Sequence, residues 1–137
     1  MIGAMFESTT IPVLEQVVSF AQARHGILAG NVANMDTPGY RVRDLSVKEF
    51  QSRLKEAIEV RNERGTSVTS GDATEYGDKE MRAVRDSIEG ILYHDGSNDS
   101  IEQQVAEITK NQNMHNTAIT ILTSQYRMLQ TAISERV

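Results

Sequence analysis

The sequence predicts an elongated all-α chain, with long N- and C-terminal helices forming a coiled-coil-like seam around an irregular, partly flexible middle segment. Three observations lead to that fold. Apolar residues recur at steps of three and four through both ends of the chain. Charge is concentrated in the centre: of the 33 charged side chains (14 basic, 19 acidic), 21 fall in residues 41–89, against four in 1–40 and eight in 90–137. The 137 residues include no Trp, three Phe and four Tyr. Aromatic side chains dominate large globular cores because each buries so much surface, so this core is thin and aliphatic, of the kind that helix seams supply.

The first element is a helix from about Ile11 to Asn34. Its stripe runs Ile11, Leu14, Val18, Ala21, His25, Leu28, Val32 and Met35, a heptad-like pattern broken only by the histidine. Thr9 or Thr10 is placed to cap its start, and Pro12 is tolerated in the first turn because its missing N–H has no partner there. Asn34 is suited to the left-handed conformation that ends many helices. Thr37-Pro38-Gly39-Tyr40 then reads as a type II turn, with Pro pre-setting the second position and Gly supplying a positive φ at the third.

The middle is dense in charge of alternating sign. Ser46-Val-Lys-Glu49 reads as a capping box opening a short helix with Val47, Phe50, Leu54 and Ile58 inward. Residues 64–77 contain Gly65, Gly71 and Gly77 among Thr, Ser and Asp and are expected to form a loop or flexible segment. Met81, Val84, Ile88 and Leu92 again fall at helical spacing, with Gly90 weakening the pattern.

The last element carries the strongest helical pattern. A turn at Asp95-Gly96-Ser97-Asn98 precedes Asp99-Ser-Ile-Glu102, a capping box in which Asp99 caps and Glu102 reaches back. The stripe continues through Ile101, Val105, Ile108, Gln112, His115, Ile119, Leu122, Tyr126, Leu129 and Ile133, and neither Gly nor Pro interrupts residues 99–137. About 35 residues at ~1.5 Å each give roughly 50 Å. A compact domain of this chain length has a radius of gyration of only ~14 Å, so the helix overhangs its domain and its apolar edge needs a partner, either the N-terminal helix or another copy. From Asn111 to Tyr126 no residue is charged, whereas a lone solvated helix is usually laced with Glu/Lys pairs. Neutral amides and hydroxyls suit a face packed against neighbours, where an unpaired charge is costly to desolvate.

Composition excludes several function classes. A net charge of −5 and a pI near 5.2 oppose nucleic-acid binding, which needs a basic face to release counterions from phosphate. Without cysteine there are no disulfides, thiolate metal sites or Cys nucleophiles. No run approaches the length a membrane span needs, and Met1 to Glu7 form no cleavable signal. No phosphate loop, nucleophile elbow or metal-ligand spacing is present. The chain is therefore expected not to be an enzyme, with no catalytic, metal or cofactor site and no small-molecule substrate. His25 and His115 are read as seam histidines, and His94-Asp95 as turn chemistry.

The stretch Leu28-Ala-Gly-Asn31-Val32-Ala33-Asn34-Met35-Asp36-Thr37-Pro38-Gly39-Tyr40 resembles the signature of the flagellar axial proteins, in which an Asn-Ile/Val-Ala-Asn core leads into Thr-Pro-Gly-Tyr. Arg41-Val42-Arg43-Asp44 after it resembles the FlgB-type proximal-rod branch. A second match lies at Asp95-Gly-Ser-Asn98, the capped helix after it, Glu107 and Lys110-Asn111-Gln112. Together these cover about half the chain; Met35, Asp36 and Ser46 depart from the usual pattern.

The resemblance implies a structural subunit of the flagellar basal-body rod, exported without signal cleavage and assembled in the periplasmic space. Its partners would be other copies, other rod proteins, the rod-base adaptor and the export gate, and it would help transmit torque from motor to hook. Another short rod subunit of the FlgC type and a soluble helical adaptor or oligomeric bundle are the alternatives. Residues 9–36 and 99–135 would form a discontinuous axial core, with 37–98 as a charged outer segment. The motif residues Asn31, Ala33, Asn34, Thr37, Pro38, Gly39, Tyr40, Arg43 and Asp44 are the candidate assembly residues. Leu14, Val18, Ala21, Leu28 and Val32 on the first helix, and Ile101, Val105, Ile108, Ile119, Leu122, Tyr126, Leu129 and Ile133 on the last, are the candidate seam. Asn31 and Asn34 either bond neighbouring backbone in an assembly or serve only as a polar core position and a C-cap.

Overall fold

The computed structural model describes residues 10–65, 73–94 and 100–135. Helix α1 spans Ile11–Ala33, strand β1 Arg43–Leu45, helix α2 Val47–Gly65 and helix α3 Ala73–Asp86; a 3-10 turn at Ile88–Ile91, strand β2 at Leu92–His94 and helix α4 at Ile101–Ser134 complete the order. The described residues are all-α apart from one two-stranded ribbon, with the long helices α1 and α4 first and last among them.

Helix α1 starts after Thr10, whose carbonyl accepts from Leu14 N–H at 3.0 Å, with Pro12 in the first turn. Its end differs from the expectation. Asn34 has φ −109° and ψ 10°, not the left-handed conformation. It caps instead through its amide: Nδ2 donates to the Gly30 carbonyl at 2.8 Å, and its backbone N–H reaches Gly30 and Asn31 carbonyls. The positive φ falls to Gly39, at +76°, in a turn closed by Tyr40 N–H on the Thr37 carbonyl at 3.2 Å. That is the type II geometry Pro38-Gly39 predicts.

The turn reverses the chain so that β1 runs back beside α1. It pairs antiparallel with β2, Asp44 opposite Tyr93 and Leu45 opposite Leu92, and Ser46 N–H extends the ladder to the Ile91 carbonyl. Strands of three residues leave too little alternation to be read from sequence. Leu92, expected inward, is 39% exposed, while Ile91 is buried, because the 3-10 turn after α3 rotates the chain out of helical phase. Gly77 lies inside α3 and not in a loop; Gly71 falls outside the described residues.

The apolar core joins α1 to the middle segment. Phe20 of α1 stacks on Phe50 of α2 with centroids 4.1 Å apart and planes 10° from parallel. Around them pack Leu45, Leu54, Ala57, Met81, Val84, Ile88 and Ile91. Ser46 caps α2, its hydroxyl accepting from Glu49 N–H at 3.2 Å, which is half of the expected capping box, the Ser46 N–H going to the Ile91 carbonyl instead.

Helix α4 is 34 residues long, roughly 50 Å, and packs antiparallel to α1: Gln104 meets Asn31, Asn111 meets Ala21 and Tyr126 meets Glu15. Its N-cap is Ser100, whose hydroxyl accepts from Gln103 N–H. The expected cap, Asp99, and the turn at residues 95–98 lie outside the described residues.

Glycines test this backbone description with opposite signs. A Cβ at Gly39, Gly26 or Gly30 meets no atom within 4 Å, so conformation alone decides. Gly39→Ala should cost about 1 kcal/mol because its left-handed φ is strained for an L residue. Gly26→Ala and Gly30→Ala, inside a helix, should each stabilise by about 0.5–1 kcal/mol. Urea denaturation of the three variants checks both signs.

Candidate functional site

The motif residues converge where α1, the reversing turn, β1 and α4 meet. Asn31 is fully buried there, and its amide makes all four bonds open to it. Nδ2 donates to the Arg43 carbonyl at 2.6 Å and to Gln104 Oε1 at 3.1 Å. Oδ1 accepts from the Tyr40 hydroxyl at 3.0 Å and from Arg43 N–H at 3.1 Å. One side chain thus ties four segments, and every bond satisfies a group that would otherwise be desolvated without a partner. Asn34, one turn on, serves the helix end; Thr37 Oγ1 donates to its Oδ1 at 3.5 Å. Ala33, Thr37, Pro38 and Gly39 are exposed and set the turn's shape.

Two turns before Asn31, a buried charge makes a second tie. Arg24, 6% exposed, grips Asp44 with two bonds, Nε to Oδ1 at 2.9 Å and Nη2 to Oδ2 at 2.8 Å. Its Nη2 also donates to Glu107 Oε2 of α4 at 2.8 Å, and Lys110 caps the other Glu107 oxygen. The bond to Asp44, and more weakly that to Glu107, drive the Arg24 pKa upward against the opposing effect of burial, so the guanidinium is held charged. Lys110 and then Arg24 hold the Glu107 carboxyl below the ordinary value of 4.5.

The seam between α1 and α4 differs from the apolar stripe read in the sequence. The α4 residues buried against α1 are Gln104, Asn111 and Ala118, seven apart on one line, and Asn111 Nδ2 donates to the Ala21 carbonyl at 2.8 Å. From α1, Gln16, Phe20, Ala21, Arg24, Leu28 and Asn31 are buried. Of the expected seam residues, Ala21 and Leu28 are buried and Leu14, Val18, Val32, Ile108, Leu122 and Leu129 are half-buried. Ile101, Val105, Ile119, Tyr126 and Ile133 are 38–53% exposed, although the Tyr126 hydroxyl reaches Glu15 of α1. Sequence periodicity located the apolar edge of α4 but not its polar one, because periodicity counts apolar residues and this seam is built from amides. The signal available was the seven-residue recurrence of Gln104, Asn111 and Ala118, and Arg24 as the one Arg or Lys of helix α1.

Burial, and then the Glu15 carboxylate that accepts its hydroxyl at 3.1 Å, raises the Tyr126 pKa. His25 is exposed and His115 half-buried. Among the described residues, no three His, Asp or Glu are placed to hold a metal, and no helix is long and apolar enough to cross a membrane.

A buried amide knot and ion pair at a helix reversal is a device for fixing geometry, and comparison with known proteins finds similar chains. The chain is 28% identical over 120 residues to the flagellar basal body rod protein FlgB of Salmonella typhimurium, covering 82% of this chain and 84% of that protein. Against FlgB of Bacillus subtilis it is 20% identical over 128 residues, 93% of this chain and 95% of that one. A shorter match, 38% over 56 residues, links it to FlgB of Escherichia coli, covering 41% of this chain and 36% of that protein. The chain is thus similar, over most of its length, to flagellar basal body rod proteins named FlgB. Six curated relatives match and all bear that name. No family model matches, and no solved structure does.

Two outcomes test the clasp. Asn31→Ala strands the buried N–H and carbonyl of Arg43, and Asp44→Ala strands most of the Arg24 charge. Each should destabilise by about 3 kcal/mol, read as a lower urea midpoint with unchanged slope. Because the folded Glu107 pKa lies below its unfolded value, its stabilisation is complete above about pH 4.5 and disappears as pH falls through the lower folded value. Glu107→Gln should therefore lower stability at pH 7 and reduce the loss seen between there and about pH 3, measured by urea titration at both.

Proposed function

We propose that this FlgB-like chain is a structural subunit of the proximal flagellar rod, joined to other copies and other rod proteins through its terminal helices, and that it helps carry torque from motor to hook. The observation that carries this reading is the end-to-end similarity to rod proteins of two organisms, together with an α4 whose apolar edge is left exposed by its own subunit. A helix about 50 Å long with Ile101, Val105, Ile119, Tyr126 and Ile133 in contact with solvent exposes an apolar strip that association would cover.

In this reading residues 9–36 and 99–135 form the axial part and residues 37–98 the outer part. The motif residues Asn31, Tyr40, Arg43 and Asp44 are positioning residues that hold the two parts at a fixed angle, and Asn34, Thr37, Pro38 and Gly39 set the reversal between them. The subunit leaves the cytoplasm without a cleaved signal and assembles in the periplasmic space, between the export gate with its adaptor and the remaining rod.

Deletion of the gene in its own host should abolish swimming and leave basal bodies without a complete rod, as seen by electron microscopy. Leu122→Asp with Leu129→Asp charges α4 without touching the N-terminus. It should stop rod assembly while the protein still reaches the periplasm, measured by swimming in soft agar and by blotting the periplasmic fraction. Normal motility in either strain contradicts the proposal.

A further inference from the structure

We propose that the Arg43 side chain is a recognition residue, which takes a carboxylate carried next to an apolar side chain on a second, different protein. This rests on the rod-subunit reading and adds to it the chemistry of one contact outside the terminal helices.

The clasp fixes the Arg43 backbone from several sides. Asn31 holds its carbonyl at 2.6 Å and its N–H at 3.1 Å. Asp44, the next residue, is gripped by Arg24, and β1 sets Arg43 opposite His94 of β2. The Arg43 side chain is put to no such use: its Nε is shielded from solvent and has no hydrogen-bond partner. Both carboxylates of the clasp are taken, Asp44 by Arg24 and Glu107 by Arg24 and Lys110. Arg24 shows what a guanidinium at this junction receives, one carboxylate across two nitrogens. A shielded N–H without a partner weakens a fold, and a rigidly placed group that does so points to function. The half-buried side chain has already lost part of its hydration inside its own subunit. A carboxylate arriving at its terminal nitrogens therefore meets a cation that is partly desolvated and already in position. Both conditions strengthen a charged hydrogen bond between chains.

The surroundings define the rest of the partner. Residues directly opposite in an antiparallel pair share a face, so His94 stands beside Arg43, and Leu92, two residues before it, lies on the same side of β2. His94 is exposed and adds a ring N–H, while Leu92 is 39% exposed and offers an apolar contact. Arg41, two residues before Arg43, is exposed as well. This corner is therefore basic in a chain whose net charge is −5. A polyanion such as nucleic acid is disfavoured by the charge of the chain as a whole, whereas one carboxylate with an apolar neighbour matches a guanidinium, an imidazole and a leucine. The ribbon belongs to the outer segment, apart from the terminal helices through which copies are read as joining. The partner is accordingly a different protein.

Arg43→Met keeps much of the side-chain length and removes the guanidinium. In the purified subunit its urea midpoint should equal or exceed that of the parent chain, because a shielded donor without a partner is gone. In the native host swimming should fall about tenfold, since removing one member of a shielded charge pair costs at least that in affinity. Asn31→Ala, by contrast, lowers both. A lowered midpoint for Arg43→Met means that the guanidinium is engaged within its own subunit and overturns the proposal, as does undiminished swimming. The second arm identifies the partner. Motile revertants are selected from an Arg43→Glu strain and their genomes sequenced; the expected change replaces an Asp or Glu of another basal-body protein by Lys, Arg or a neutral residue. Revertants confined to this gene, whether at codon 43 or at an acidic position through which a copy would bind, overturn it. A deletion strain that swims overturns the rod reading and this contact together, whereas undiminished swimming of Arg43→Met alone leaves that reading standing.

Discussion

Arg24 is the constraint on which the rest of the structure depends. A guanidinium cannot shed its proton in a protein, so once it is 6% exposed it dictates what surrounds it. Asp44 must lie alongside in the plane needed for two bonds, and Asp44 is 20 residues away, beyond a helix end and a reversal. Glu107 must arrive from the opposite terminus. The path from Ala33 to Arg43 is therefore not free: it must end with β1 antiparallel to β2 and against α1. Asn31 enforces the same arrangement from the neutral side, through the backbone of Arg43 and the hydroxyl of Tyr40.

Helix α1 thus has two unlike neighbours. Toward α2 and α3 it offers Phe20 and a ring of partly buried Val and Ile, and area burial stabilises that contact. Toward α4 it offers Arg24, Asn31 and the Ala21 carbonyl, and receives Glu107, Gln104 and Asn111. A buried polar seam gains little net free energy over an apolar one, and its attested use is to fix register. A seam of amides and one ion pair permits a single alignment of α1 on α4, because a shift of one residue would unpair Arg24 and Asn31 together. Ala118 is buried and Ile108, Leu122 and Leu129 of α4 are half-buried, whereas Val105, Ile119 and Ile133 stay exposed, so part of its apolar side is left uncovered within the subunit.

The sequence made the helices legible and pointed to Asn31, Tyr40, Arg43 and Asp44, but not to the bonds between them. Helix α1 was readable nearly to the residue because its period, Pro12 and the Thr-Pro-Gly-Tyr turn all agree. Phe50, Leu54, Met81 and Val84 were readable as core for the same reason. The two strands were not, since three residues carry no period. Asn34 was identified as a cap by the wrong mechanism: an Asn can end a helix through its backbone or its amide, and only coordinates separate the two. Gln104 and Asn111 were missed because polar residues on a long helix are assigned to solvent unless a partner is known. That partner, Asn31 or the Ala21 carbonyl, lies 73 or 90 residues away. Arg24 was visible as an isolated charge, yet its pairing with Asp44 and Glu107 has no local signature.

The clasp and the turn serve one geometric end. Tyr40, Arg43 and Asp44 bond back to α1, whereas Pro38 and Gly39 restrict the reversal to one shape. The result fixes the angle between the α1–α4 pair and the layer of α2 and α3. In a closed dimer a small error in such an angle is absorbed by one interface. In an array built by repeated contact between unlike faces it recurs at every step and accumulates, so a subunit that stacks must be stiff where its parts join. Amide bonds and a bidentate ion pair are directional in a way that apolar contacts are not, and they are placed at that junction.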